Sequence, residues 1–230
     1  MNPIELNLND ETIIWKYLDL SKFLDLIISR KMFLSRSDKF EDQYEGTFSE
    51  PTFEEIKLLL NDNPKYLDHY KARRKDIIIS SWHTNPYESF AMWQIFTKNN
   101  EGLAIQSTIG RLKKSILNQE RDINLHIGEV QYIDYKKDYI PLKDNYFPFL
   151  YKRKSFQYEN EIRLIGDGAN LDKPINDGLK IDIDVDLLIQ NLYIHPRSEK
   201  WYKNLIETII TRLNLSIEIA KSDLESDIFI

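Results

Sequence analysis

Glu159, Glu161 and Arg163 stand at alternate positions in the run Ser155-Phe156-Gln157-Tyr158-Glu159-Asn160-Glu161-Ile162-Arg163-Leu164-Ile165. Phe156, Tyr158, Ile162 and Ile165 favour extended structure and Gly166 ends the run, so 156–165 reads as a strand. Residues two apart on a strand share a face. That spacing sets two carboxylates and a guanidinium side by side. Close carboxylates repel, so one of the pair tends to keep its proton to higher pH, which suits acid–base work or charge stabilisation. The same residues also read as a solvated strand face with a Glu–Arg pair, because ordinary ion pairs perturb carboxylates too.

Other residues offer weaker chemistry. Asp38, Glu41, Asp42 and Glu45 have the composition of an oxygen-ligand set, but not the spacing or glycine of a calcium loop. They read rather as a charged, solvated loop. The histidines at 69, 83, 126 and 195 include no i, i+4 pair, which leaves no zincin-type motif. His83 follows an apolar strand, beside Ser81 and Trp82, and reads as a site position or, rather, as a hydrogen-bonded structural histidine; His195 reads as structural. Ser80-Ser81 lacks the G-x-S-x-G setting of a hydrolase nucleophile. Its hydroxyls read as ligand-holding or carboxylate-orienting groups. Trp15, Trp82 and Trp93, with Tyr17 and Tyr87, crowd the predicted strand ends. They supply either walls for a flat ring such as nicotinamide or adenine, or ordinary core packing. Lys152-Arg153-Lys154 offers cations for phosphates of a nucleotide or nucleic acid, or a solvated turn.

The elements that must position these groups follow from periodicity and caps. A strand over 12–17 precedes Asp19 as N-cap and an amphipathic helix near 20–30. A short strand covers 31–35, and the polar stretch 36–46 reads as a loop. Thr52 with Glu55 forms a capping-box pattern for a helix near 53–61, and Asn63-Pro64 opens a second helix to about Lys75. Strands are expected at 76–82, 102–107, 125–132, 180–185, 191–195 and 215–220, with helices at 87–97, 109–118 and from Ser198 to about Leu213. The Pro-interrupted aromatic segment 138–153 gives no clear element. The elements interleave without a βαβ rhythm. The predicted fold is α+β: a single domain, 1–230, with a mixed or mainly antiparallel sheet flanked by helices and a helical insertion at about 47–75.

Composition narrows the field. The chain has 230 residues, 42% of them hydrophobic, and a net charge of −6, so a sizeable core is expected and a general DNA-coating role is not. The absence of cysteine excludes disulfides, thiolate metal sites and a cysteine nucleophile. The first fifteen residues show no apolar core of a secretion signal, and no apolar run approaches ~18 residues. The expectation is a cytoplasmic protein with no membrane partner. No glycine-rich phosphate loop is present.

Several pieces fall in a recognisable order: W-K-Y-L-D-L-S-K-F-L (15–24), F-L-S-R-S-D-K-F-E-D-Q-Y-E-G (33–46), S-S-W (80–82), A-M-W-Q-I-F (91–96), G-L-A-I (102–105) and K-S-F-Q-Y-E-N-E-I-R-L-I (154–165). Over roughly 12–166 the chain resembles a bacterial family catalogued as domain of unknown function 2971. That family in turn resembles ADP-ribosyltransferase-like folds, an analogy of fold rather than of site. The resemblance implies an NAD-using ADP-ribosyltransferase or NAD glycohydrolase. Glu161 would stabilise the ribosyl transition state, Glu159 would activate the acceptor and Ser81 would support Glu161. Tyr17 with Trp82 or Trp93 would hold nicotinamide, and Lys16 or Tyr17 would anchor the ligand. Arg36, Asp42, Glu45 and Arg163 complete the binding set, and no metal is implied. The chain departs from the pattern in having neither His nor Arg at 15–17. Members of the family lie near phage-defence and toxin genes, which implies an effector acting on a protein or nucleic acid acceptor with a nucleotide-type small molecule. Two other readings stay open. One is a metal-dependent nuclease or phosphoesterase, with Asp42, Glu45, Glu159 and Glu161 as oxygen ligands. The other is a non-enzymatic binding or immunity module in which Glu159, Glu161 and Arg163 form a satisfied structural network around Tyr17 and Asp42.

Overall fold

The computed structural model describes residues 8–60, 68, 71–97, 99–117, 123–143, 146–171 and 174–225. The chain begins with β1 (Ile13–Asp19), α1 (Leu20–Ser29), β2 (Lys31–Arg36), α2 (Glu50–Leu59) and β3 (Ile77–Thr84). There follow α3 (Phe90–Phe96), β4 (Gly102–Thr108), α4 (Ile109–Ser115), β5 (Asn124–Glu129), β6 (Gln131–Ile133) and β7 (Tyr151–Arg153). The last elements are β8 (Glu161–Asp167), β9 (Gly178–Asp182), α5 (Val185–Leu188), β10 (Asn191–Ile194), α6 (Lys200–Arg212) and β11 (Glu218–Ala220). The class is α+β, with strand pairing that is mainly antiparallel. Among the described residues no helix is long and apolar enough to cross a membrane.

Two compact units are present. One draws on Phe33–Ser81 and Gln119–Lys180, the other on Leu8–Met32, Trp82–Asn118 and Ile181–Ile230. In the second unit, β1 pairs antiparallel with β4 along its whole length and with the end of β3 through Ile14–Thr84 and Trp15–His83. β10 pairs antiparallel with β4 and parallel with β11. β1 is buried on both faces. Trp15 and Tyr17 pack with Met92, Trp93 and Ala104, while Ile14 and Leu18 are buried on the alternate positions. The helix α1 sinks Phe23, Leu26 and Ile27, the i, i+3, i+4 stripe of a one-sided helix.

In the first unit, β5 and β8 form an antiparallel pair from Asn124–Asp167 to Glu129–Ile162. β2 pairs antiparallel with β3 at Ser35–Ile79 and Arg36–Ile78, and β6 runs parallel to β7. The core gathers Ile77 and Ile79 of β3, Ile165 of β8, and Tyr146, Phe149 and Leu150 from the 3₁₀ turn at Phe147–Leu150 and its approach. That turn lies in the segment whose sequence gave no element.

Three local readings need correction. The strand expected over 156–165 starts only at Glu161: Lys154–Glu159 is a 3₁₀ turn, closed by Asn160 with φ 40°. The strand preference of Phe156 is overridden by cations, since its ring takes Lys152 Nζ at 4.7 Å and the Arg153 guanidinium at 5.4 Å. The capping box at Thr52 does not form. Pro51 in the first turn starts α2 earlier, with Ser49 as N-cap, and the Thr52 hydroxyl is buried against the Ile140 backbone. Glu199 rather than Ser198 stands at the N-cap of α6. The second helix expected up to Lys75 lies largely outside the described residues.

Gly46 occupies the left-handed region at φ 69°, and a Cβ there would collide with the Phe149 ring. Gly46→Ala is therefore expected to lose about 3 kcal/mol, combining a left-handed alanine with an overpacked core. Urea denaturation checks this, and a loss under about 0.5 kcal/mol, the level of a surface change, would contradict the packing described.

Candidate functional site

Strand alternation puts Glu161, Arg163 and Ile165 on one face of β8. Ile165 joins the apolar core, so the strand carries its guanidinium inward with it, and Arg163 is 1% exposed. A buried guanidinium needs carboxylates and acceptors for its donors. Arg163 Nε donates to Glu161 Oε2 at 2.9 Å and Nη1 to the Phe149 carbonyl at 2.9 Å. Nη2 donates to Glu45 Oε2 at 2.5 Å and to Glu161 Oε1 at 3.2 Å. Glu45 arrives from the turn that Gly46 makes possible.

Lys152, on β7, is the second cation. Its Nζ donates to Glu159 at 2.6 Å and to Glu161 at 2.8 Å, and lies 3.2 Å from Glu45. The Asn160 corner is what brings Glu159, from a turn, and Glu161, from a strand, onto one ammonium. Tyr132, in register with Lys152 across the β6–β7 pair, accepts the Glu161 backbone N–H at 2.9 Å.

Three carboxylates thus face two cations, leaving one negative charge in excess. Burial alone would raise the Glu161 pKa, but the charges of Arg163 and Lys152 outweigh it and hold this carboxyl well below the usual range. Glu159 takes the opposite course: burial and its hydrogen bond to Glu161 push it up to about 7. Burial would lower Lys152, but the charges of Glu161 and Glu45 overcome this and keep it protonated.

Beside this network lies an open cleft of about 340 Å³, lined by Tyr44, Phe48, Tyr135, Lys136, Arg153 and Lys154 among others. Arg153 meets Asp42 as a fork, with Nε to Oδ2 at 3.0 Å and Nη2 to Oδ1 at 2.9 Å. Its guanidinium lies 4.8 Å from the Tyr44 ring centre.

Of the residues singled out in the sequence, Glu45, Glu159, Glu161 and Arg163 come together directly. Asp42 joins the neighbouring pair with Arg153. Arg36 goes elsewhere: Nε binds Asp38 at 2.6 Å and Nη1 the Ile175 carbonyl at 2.6 Å. Ser81 is half-buried near the end of β3. Lys16, Tyr17, Trp82 and Trp93 belong to the other unit. There Lys16 Nζ sits 5.2 Å from the Trp82 ring centre. Tyr17 and Trp93 meet edge to face at 5.0 Å. The Tyr17 hydroxyl accepts the Ser89 N–H at 2.7 Å, and Trp93 Nε1 donates to Glu88 at 3.0 Å. Tyr17, Trp82 and Trp93 are buried, at 7%, 1% and 0% exposure. They are core rings, not the nicotinamide walls expected of them: Tyr17 and Trp93 pack on one another in one cluster, and Trp82 is buried with Lys16 over its ring. The metal reading has no ligand set: among the described residues no three His, Asp or Glu side chains are arranged for a metal ion, and Lys152 and Arg163 stand between the carboxylates. The sequence missed Lys152 as the hub, as well as Tyr44 and Tyr135 as a lining, and offered Arg153 only within a triplet of cations for phosphates or a solvated turn. Nothing in the triplet 152–154 marked its first lysine as buried, apart from its closeness to the acidic pair.

No protein-family model matches the chain, so the resemblance to the domain of unknown function 2971 family rests on its motifs. No curated protein matches it either. One solved structure with a similar chain course is DarT of Thermus sp. 2.9, in complex with ADP-ribosylated single-stranded DNA. It matches 97% of this chain and 100% of its own at 9% identity and a TM-score of 0.42. A likeness this distant assigns no residue, ligand or activity here.

Two measurements test the network. Lys152→Met leaves two buried carboxylates and the half-buried Glu159 facing one guanidinium and should cost about 3–5 kcal/mol in urea denaturation, the scale of a broken buried pair. A loss below about 1 kcal/mol would reduce it to a surface ion pair. The second is pH dependence. Between the ordinary 4.5 and about 7 the folded protein holds a proton on Glu159 that the unfolded chain has lost. Stability from this group is full below pH 4.5 and is lost as pH rises through about 7. Glu161 contributes the reverse, with stability that is lost on acidification below its ordinary range. Wild type should thus lose stability relative to Glu159→Gln as pH rises from 4.5 to about 7. Parallel pH curves for the two proteins would refute the assignment of that proton.

Proposed function

We propose that the chain is an ADP-ribosyltransferase-like enzyme with NAD as substrate, and that Glu159 and Glu161 are its working carboxylates. The observation that carries this reading is the split pair. Two carboxylates share Lys152, yet one is held ionised and the other is pushed up to about 7. Neighbouring carboxyls whose environments drive their pKa values apart divide naturally into a fixed charge and a proton carrier. The E-N-E-I-R motif, in its resemblance to the domain of unknown function 2971 family, supports the same reading.

NAD brings an electrophilic ribosyl carbon and a nicotinamide leaving group. One nucleotide unit of it suits the cleft beside the network, whose lining combines Arg153, Lys136 and Lys154 with Tyr44, Phe48 and Tyr135. Glu161 keeps a negative charge that favours developing positive charge. Glu159 takes a proton from the acceptor at its carboxylate near neutral pH. Lys152 and Arg163 position both groups. An effector role in phage defence or a toxin system, on a protein or nucleic acid acceptor, belongs to this proposal through the family resemblance.

A second reading is favoured by burial. Glu161 is 4% exposed and both its oxygens are bonded, as in the structural network of a non-enzymatic binding or immunity module.

Nicotinamide release from NAD by wild type, Glu161→Gln and Glu159→Gln separates the two, with circular dichroism confirming that each variant is folded. The expected outcome is a loss of at least about 100-fold in Glu161→Gln. A rise in wild-type rate through about pH 7 should be absent from Glu159→Gln. Undiminished release by Glu161→Gln would sink the catalytic assignment. No release by wild type, with or without cell lysate, would leave the binding-module reading standing.

A further inference from the structure

We propose that the cleft over Arg153 and Tyr44 is a binding site for a single phosphorylated nucleoside: one planar ring, one sugar and one phosphate. The anion end is built around Arg153. Its side chain is 42% exposed, while the Asp42 side chain that forks onto it is 2% exposed. A buried carboxylate therefore fixes the guanidinium from behind. The Tyr44 and Phe156 rings, at 4.8 and 5.4 Å, hold its faces. An arginine immobilised in advance loses little freedom on gripping an anion, and its remaining N–H donors match phosphate oxygens. Lys136 and Lys154, both exposed, add two cations to the same lining. Lys154 is itself paired with Asp138 at 3.3 Å.

The ring end is built around Tyr44. Tyr44 keeps 48% of its surface exposed, and the buried Tyr135 braces it edge to face at 5.3 Å. Phe48 and Ile133 extend the apolar wall. A braced aromatic beside a fixed guanidinium suits a flat base next to its phosphate. Glu50 and Asp134, also in the lining, offer acceptors for sugar hydroxyls. About 340 Å³ is near the lower end of ligand sites, roughly 300–1,000 Å³, and is room enough for one nucleotide unit.

None of Glu45, Glu159, Glu161, Lys152 or Arg163 lines this cleft. Occupancy can therefore be measured apart from turnover. Loss of NAD cleavage does not remove the site, and loss of the site does not decide whether the carboxylates react.

Calorimetric titration of the full chain with AMP, adenosine, inorganic phosphate and NAD tests the proposal. AMP should bind at one site per chain, with adenosine and phosphate each at least about tenfold weaker, since each keeps only one end of the contact. NAD should compete with AMP. Arg153→Gln should weaken AMP by about tenfold or more. That variant leaves Asp42 buried without its partner and is at risk of misfolding. Tyr44→Ala and the double variant Lys136→Gln/Lys154→Gln, on exposed side chains, therefore carry the same expectation. Absence of AMP binding at millimolar concentration would overturn the proposal. AMP binding that survives all three variants would place the ligand elsewhere and overturn it too. Tight binding of a single-stranded oligonucleotide with none of AMP would replace it by a strand-binding surface.

Discussion

The first unit is organised by the need to neutralise one guanidinium. Arg163 stands one strand step from Ile165, whose place in the core is fixed by packing, so the arginine has no path to water. Each of its partners follows from that constraint. Glu45 requires the left-handed turn at Gly46, Glu161 comes from the same strand face, and the Phe149 carbonyl comes from the turn that also fills the core. Once Glu45 and Glu161 are buried, a second cation is needed, and Lys152 fills that position on β7. Polar and apolar order are thus one arrangement: the Phe149 ring limits Gly46 while the Phe149 carbonyl binds Arg163.

The network is also left one charge out of balance. Two cations can hold two carboxylates ionised without strain on either, but not three in a site of low polarity. The excess falls on Glu159, the most exposed of the three, at 13% against 6% for Glu45 and 4% for Glu161. A proton therefore resides at the rim of the network rather than at its centre. Structural satisfaction and chemical readiness coexist here because they belong to different members of the same cluster.

Much of this was legible in the sequence, though not always for the right reason. Hydrophobic period placed α1, which buries the stripe Phe23, Leu26 and Ile27, and an apolar β-branched run placed β3, which is buried at nearly every position. The Glu161–Arg163 pairing followed from strand alternation and held. Glu159 met its partners by another route, a 3₁₀ turn and a left-handed Asn160, because cations drew Phe156 away from extended structure. The aromatic residues of β1 and α3 were ambiguous between a wall and a core. Composition cannot separate these, since both demand the same rings; only neighbours on every side decide it. Lys152 and Arg153 were hardest to read. Adjacent residues on a strand point to opposite sides, so one basic triplet divides into a buried hub and a cleft wall.

Both units are assembled from separated stretches of chain, which sets the order in which synthesis can complete them. Every residue of the carboxylate network has emerged once Arg163 is made, and the unit holding it ends at Lys180. The other unit opens with β1, yet it lacks β10, α6 and β11 until the last fifty or so residues arrive. Until β10 is made, β4 stays paired on only one side. Long-range closure of this kind is slow and leaves unpaired strand edges open meanwhile. For a growing polypeptide, the charged cluster is the early-finished part and the aromatic core around Trp15 and Trp93 the late one.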